Sequence, residues 1–120
     1  MAIRLQWLGQ AGLRLETPSG VIYVDPYLSD SVENIHGPAY RRMRPIPIAP
    51  HEVEDAAVVL ITHEHLDHCD PETLPALAAA SPEAIELSPS KTNAGSGVSP
   101  LARSPASYPA RRRCTAVCFV

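Results

Sequence analysis

The stretch "LITHEHLDHCDPETL", Leu60 to Leu74, changes character at His63: the eight residues from His63 to Asp70 carry three histidines and three acids. Upstream, Ala56 to Thr62 (A-A-V-V-L-I-T) is a continuous apolar run of the kind found in an interior strand covered on both faces. The cluster therefore projects from the C-terminal end of a buried strand, where α/β folds commonly place ligands. Downstream, Asp70 can cap a helix with Pro71 in first position and Glu72 in the first turn. Pro75 cannot donate to the carbonyl of Pro71, so a start at Thr73 and Leu74, with Pro75 still in the first turn, is the alternative. Ser81-Pro82 ends the helix and Ala84 to Leu87 reads as a further strand. A strand, helix, strand unit of this kind makes the fold class α/β, or α+β.

Neutral imidazole and carboxylate suit zinc, manganese or iron. His63 and His65, two apart on an extended segment, point the same way and can share one metal. Asp67 and His68 lie on the following turn and can face a second. The spacing differs from the helical H-E-x-x-H of zinc proteases. A single histidine here would read as a polar residue on a solvated loop; four potential ligands in six residues read as a metal site. The expected cofactor is a divalent metal, Zn or Mn, as one or two ions. One short loop supplies at most two ligands per metal, where stable sites have three or four, so the site is expected to be incomplete within this chain.

Ahead of this unit, Ile3 to Leu8 alternates with Ile3, Leu5 and Trp7 on one face, Gly12 to Glu16 alternates again, and Val21 to Val24 is rich in β-branched residues. Turn chemistry at Thr17 to Gly20 joins the last two, giving an antiparallel meander that ends at Asp25-Pro26. Asp25 either lines the metal cleft or is a turn acid before proline. Pro26 to Pro50 shows no period and reads as a long irregular excursion, a length usually functional or disordered. It holds His36, Arg41, Arg42 and Arg44, which can meet a phosphorylated small molecule or form a solvated basic loop. Cys69 reads as packing beside the helix start, and His51 has no assigned role.

At 120 residues the chain has room for one domain. All 13 acids lie at or before Glu86, so residues 1–87 carry −8 and the last 33 carry +5. No apolar run is long enough for a bilayer and MAIRLQW lacks a signal-peptide core, so no membrane partner and a cytoplasmic location are expected. Three cysteines, Cys69, Cys114 and Cys118, fit a reducing compartment better than a disulfide framework. Ser88 to Val120 is rich in Ser, Pro, Ala and Arg, has no acid, and reads as a disordered tail. Arg111 to Arg113 lack interleaved aromatics, so no nucleic-acid partner is expected.

Thr62 to His68, T-H-E-H-L-D-H, resembles the T-H-x-H-x-D-H signature of the metallo-β-lactamase superfamily. "WLGQAGLRLETPSGVIYVDPYLSD", Trp7 to Asp30, is similar to the start of its L-ascorbate-6-phosphate lactonase branch, and "SPSKT", Ser88 to Thr92, resembles the next strand and loop. The resemblance implies the N-terminal part of an αββα sandwich, with His63 and His65 on a first metal, Asp67 and His68 on a second, and Asp67 also orienting the attacking hydroxide. It implies lactonase-type ring opening of a sugar-acid phosphate. Family members supply further histidines and a bridging acid from later segments, and no histidine follows His68. Residues 1–92 are thus expected to be a partial domain, and 93–120 a basic tail outside the family pattern, produced by a change of reading frame. A truncated, catalytically inactive metal-binding fragment is the alternative expectation.

Overall fold

The computed structural model describes residues 2–88. The tail expected over 93–120, its origin in a frame change, and nearly all of the S-P-S-K-T segment lie outside them.

Five strands form one mixed sheet in sequence order: β1 (Arg4–Gly9), β2 (Gly12–Thr17), β3 (Gly20–Val24), β4 (Ala56–Leu60) and β5 (Ile85–Leu87). The first three are the predicted meander, each pair antiparallel. Gly20 closes the β2–β3 turn at φ +136°, and an added Cβ there would lie 2.8 Å from that of Ala57, so only glycine fits the turn and the approach of β4. β4 then joins β3 in parallel and β5 joins β4 in parallel, so both connections must cross over the sheet. The β4 to β5 crossover is helix α2 (Thr73–Ala80), which takes the later of the two expected starts. Asp70 lies ahead of it and accepts from the Glu72 amide (3.0 Å) and the Thr73 hydroxyl, bracing the approach to the helix.

The β3 to β4 crossover is the proline-rich excursion. It contains one short helix, α1 (Ser31–His36), and single 3₁₀ turns at Pro38–Tyr40 and Pro50–Glu52. Six residues are too few to show an apolar period, and no side chain caps α1, so nothing in the pattern announced it.

Among the described residues the core lies on one face of the sheet. Leu8, Tyr23 and Val59 point there and pack against Val53, Leu74 and Leu77. The other face carries two cross-strand rows read directly from the register: Trp7, Leu13, Val24, Leu60 and Leu87 in one, Leu5, Leu15, Ile22, Val58 and Ile85 in the next. None of these ten belongs to the core cluster. The sequence reading expected β4 to be covered on both faces; Ala56 and Val59 are buried, but Val58 and Leu60 are only half-buried. Ile3, Leu5 and Trp7 do share a face, but it is the outer one, and they are 66%, 62% and 53% exposed.

On the core face a polar triad closes the far end of the sheet. Arg14 Nε donates to the Tyr23 hydroxyl (3.1 Å), that hydroxyl donates to Asp55 Oδ1 (2.8 Å), and Arg14 Nη2 pairs with Asp55 Oδ2. Burial, then the bond to Asp55, push the Tyr23 phenol up to about 12. The folded chain therefore holds this proton more tightly than the unfolded chain, a stabilisation present below pH 10 and lost as pH rises through the folded value. We expect unfolding free energy to fall by on the order of 2 kcal/mol over this alkaline window, and Tyr23→Phe to flatten that slope in urea titrations.

Candidate metal centre

The histidine loop begins where β4 stops, and β3 ends beside it. Asp25, the residue after β3, sits at φ +44°, in the left-handed region that Asp tolerates better than most residues. This turn aims its amide at Leu60 O (2.9 Å), extending the β3–β4 ladder, and its carboxylate into the loop. Oδ1 accepts from the Thr62 amide at 2.7 Å; Oδ2 accepts from the Thr62 hydroxyl at 2.6 Å and from His68 Nδ1 at 2.8 Å. Asp25 is 3% exposed. Burial works to raise its carboxyl, but the bonds from Thr62 and His68 outweigh it and hold the group below the ordinary carboxylate range.

For neutral rings these bonds assign the tautomers. The single Thr62 hydroxyl proton goes to Asp25, so Thr62 Oγ1 must accept from His63 Nδ1, 2.9 Å away. His63 Nε2 is then a lone pair, and it accepts from His65 Nδ1 at 3.0 Å. His68 gives its Nδ1 proton to Asp25 and keeps a lone pair on Nε2. Each imidazole thus carries its Nε2 unprotonated, the form in which a histidine ligates a metal, and His68 has the carboxylate partner that ligating histidines commonly use.

The loop draws the predicted ligands together. The His63 ring centroid is 4.5 Å from that of His65 and 3.9 Å from that of His68. His68 Nε2 and Asp67 Oδ2 are 3.7 Å apart, within twice a metal–ligand bond of about 2.0 to 2.2 Å. By type and protonation the four residues fit a divalent cation. By number they stop short: no group of three or more His, Cys, Asp and Glu among the described residues is arranged to hold a metal ion.

Neighbouring residues support the loop. Asp70, fully buried, accepts from the Ser29 hydroxyl (2.6 Å), and Thr73 Oγ1 accepts from the Leu28 amide (2.8 Å), tying the segment after β3 to the start of α2. Cys69 is half-buried against the core, and burial pushes its thiol up, so it packs as expected. The arginines of the excursion have protein partners. Arg41 pairs with Glu33 at 3.0 Å, Arg42 donates to the Tyr27 and Leu8 carbonyls and stacks on Tyr27, and Arg44 lies over Trp7 at 4.9 Å. His36 lies against Tyr40 with the rings tilted and their centroids 5.5 Å apart. A phosphate would have to compete with these contacts.

With this geometry in hand, comparison with known proteins identifies the lineage. The family model for the beta-lactamase superfamily domain matches residues 4–120. The chain belongs to that superfamily. Its five-strand mixed sheet, with a helix following the histidine loop, is the N-terminal part of the superfamily's fold. Among curated proteins the chain is similar to a UPF0173 metal-dependent hydrolase of Aeropyrum pernix, 37% identical over 65 residues, which are 54% of this chain and 22% of that protein. It is also similar to one of Paracoccus denitrificans, 41% identical over 66 residues, covering 55% and 24% respectively. The match thus spans less than a quarter of each superfamily relative's length. No helix among the described residues is long and apolar enough to cross a membrane.

Sequence reasoning left Asp25 between two roles and gave Thr62 none. The signal was there in part: an acid at the end of one parallel strand and a hydroxyl at the end of its neighbour meet whenever those strands pair in register, and Val24 pairs with Leu60.

Proposed function

We propose that the chain carries the first ligand cluster of a metal-dependent hydrolase, with His63 and His65 holding one divalent cation, zinc or manganese, and Asp67 and His68 a second. The observation that carries this reading is the Asp25–Thr62 clamp, which for neutral rings sets the His63 and His68 tautomers with the Nε2 lone pair unprotonated. The names of the relatives, metal-dependent hydrolases, support it. When bound, such cations lower the pKa of water to about 7 and polarise a carbonyl. Asp67, on the exposed side of the loop, would orient that water and take its proton; Asp25 would keep His68 in its ligating form. The substrate class we propose is the cyclic ester of a sugar-acid phosphate, from the likeness of Trp7 to Asp30 to the lactonase branch.

A second reading, metal binding without turnover, is favoured by the lack of a three-donor group among the described residues. One experiment separates them. The purified chain is loaded with Zn²⁺ or Mn²⁺, its metal content measured, and hydrolysis of sugar-acid lactones followed with and without a phosphate group. Stoichiometric metal with turnover supports the hydrolase, metal without turnover the second reading, and metal no higher than in a variant with His63, His65, Asp67 and His68 all replaced by alanine removes both.

A further inference from the structure

Asp70 is a completely buried carboxylate at the end of the histidine loop, and its partners are neutral: the Ser29 hydroxyl at 2.6 Å, the Thr73 hydroxyl, and the Glu72 amide at 3.0 Å. No cation pairs with it among the described residues. Burying a charge is costly unless hydrogen bonds satisfy it, and a neutral Ser, Thr or Asn is enough to start a helix. A carboxylate does something a neutral cap does not: it only accepts, so both hydroxyls must give it their protons. Each hydroxyl oxygen is then left to accept. Ser29 Oγ takes the Ser31 amide at 3.1 Å, and Thr73 Oγ1 takes the Leu28 amide at 2.8 Å. Asp70 thereby fixes residues 28–31, just after β3, from the far end of the loop.

We propose that Asp70 is a positioning residue for the metal loop, holding His68 against Asp25 by fastening residues 25–31 and 62–73 to each other. The two segments exchange carboxylates. Asp25, from the first, takes Thr62 and His68 of the second, and Asp70, from the second, takes Ser29 of the first. His68 lies between the two ties, its ring bonded to Asp25 at 2.8 Å and its backbone two residues from Asp70. The amides of His68 and Cys69 both donate to His65 O, at 2.9 and 2.7 Å, so the same turn carries His65. Released at Asp70, this turn is free to move away from Asp25; held at both ends, it is not. The inference rests on the proposed role of His68 as a ligand and adds a residue that touches neither cation nor substrate. The competing account is that Asp70 only starts α2, whose Leu74 amide donates to Asp70 O at 3.1 Å.

Two variants of the full chain separate these accounts. Asp70→Asn turns an amide nitrogen toward either the hydroxyls or the Glu72 amide, disturbing the tie and the helix start together. Ser29→Ala cuts the tie between the segments and leaves the contacts of Asp70 with Thr73 and Glu72 in place. The first readout needs no metal: imidazole ¹⁵N shifts at about pH 8, above the ordinary imidazole range, report which nitrogen of His68 is protonated. The wild-type chain is expected to hold the proton on Nδ1, and both variants to move part of the population to Nε2 as the ring leaves Asp25. The second readout is Zn²⁺ affinity by calorimetric titration, expected to fall about 10- to 100-fold in Asp70→Asn and in the same direction in Ser29→Ala. Asp55→Asn, which breaks the pair with Arg14 just before β4, at the end of the strand away from the loop, is expected to lower stability and change neither readout. The inference is overturned if every variant that folds, Ser29→Ala included, keeps the Nδ1 proton of His68, or if Asp55→Asn moves it as far. A wild-type chain that takes up no Zn²⁺ removes the metal reading of the loop; a tautomer shift in the metal-free variants still upholds the positioning of His68 by Asp70, and its absence still overturns it.

Discussion

Replacing His63 by alanine should abolish divalent-cation binding at the His63–His65 pair while leaving the fold in place. His63 is the junction of the loop. Its Nδ1 is held by Thr62, its Nε2 faces His65 at 3.0 Å, and its ring lies 3.9 Å from that of His68. Removing it takes away half the donors of the first proposed pair and leaves His65, on the exposed end of the loop, without its neighbour. Loss of a hydrogen-bond partner behind a ligand typically costs 10- to 100-fold in affinity, so loss of a ligand itself should exceed about a hundredfold. Stability should move by no more than about 0.5 kcal/mol, because the ring is only half-buried and contacts other loop residues. Calorimetric titration with Zn²⁺ and a urea melt on the same preparation check both parts. An unchanged titration would remove His63 from the site.

How far such a site can be read from sequence depends on whether its contacts are local. His63, His65, Asp67 and His68 fall within six residues of one another, and the strand ahead of them and α2 behind them are announced by an apolar run and a Ser-Pro stop. Residues placed by chain continuity were therefore legible. The meander was legible for the same reason, since each hairpin pairs neighbours in sequence. Asp25 was not, because its partners Thr62 and His68 lie 37 and 43 residues away, across a crossover whose path no local pattern describes. Alternation also shows that Ile3, Leu5 and Trp7 share a face without showing which face is covered. The helix and the excursion both pack on the side of Leu8, Tyr23 and Val59, and that choice is tertiary. The arginines illustrate the same limit: basic residues in a long loop suggest anion binding, yet Arg42 is taken up by the carbonyls of Tyr27 and Leu8.

Asp25 is where the fold and the proposed chemistry meet, and two substitutions separate its contributions. Asp25→Asn keeps a residue that tolerates positive φ and an oxygen for the Thr62 amide, so the β3 end should survive, with a stability loss of about 1 to 3 kcal/mol. The amide nitrogen, however, offers a donor where His68 Nδ1 now gives its proton. His68 would then place its proton on Nε2, the atom proposed to ligate, and affinity at the Asp67–His68 pair should fall 10- to 100-fold. Asp25→Ala removes the acceptor for Thr62 and His68 together and puts a Cβ residue without polar compensation at φ +44°. The loss of a buried charged acceptor and its strain should cost about 3 to 5 kcal/mol, enough to unfold a chain of marginal stability. Equilibrium melts rank the three proteins, and the imidazole ¹⁵N shifts of His68 read its tautomer directly. If His68 keeps Nδ1 protonated in Asp25→Asn, the carboxylate does not set the tautomer, and the metal-ready state of this loop must come from Asp67 or from the cation itself.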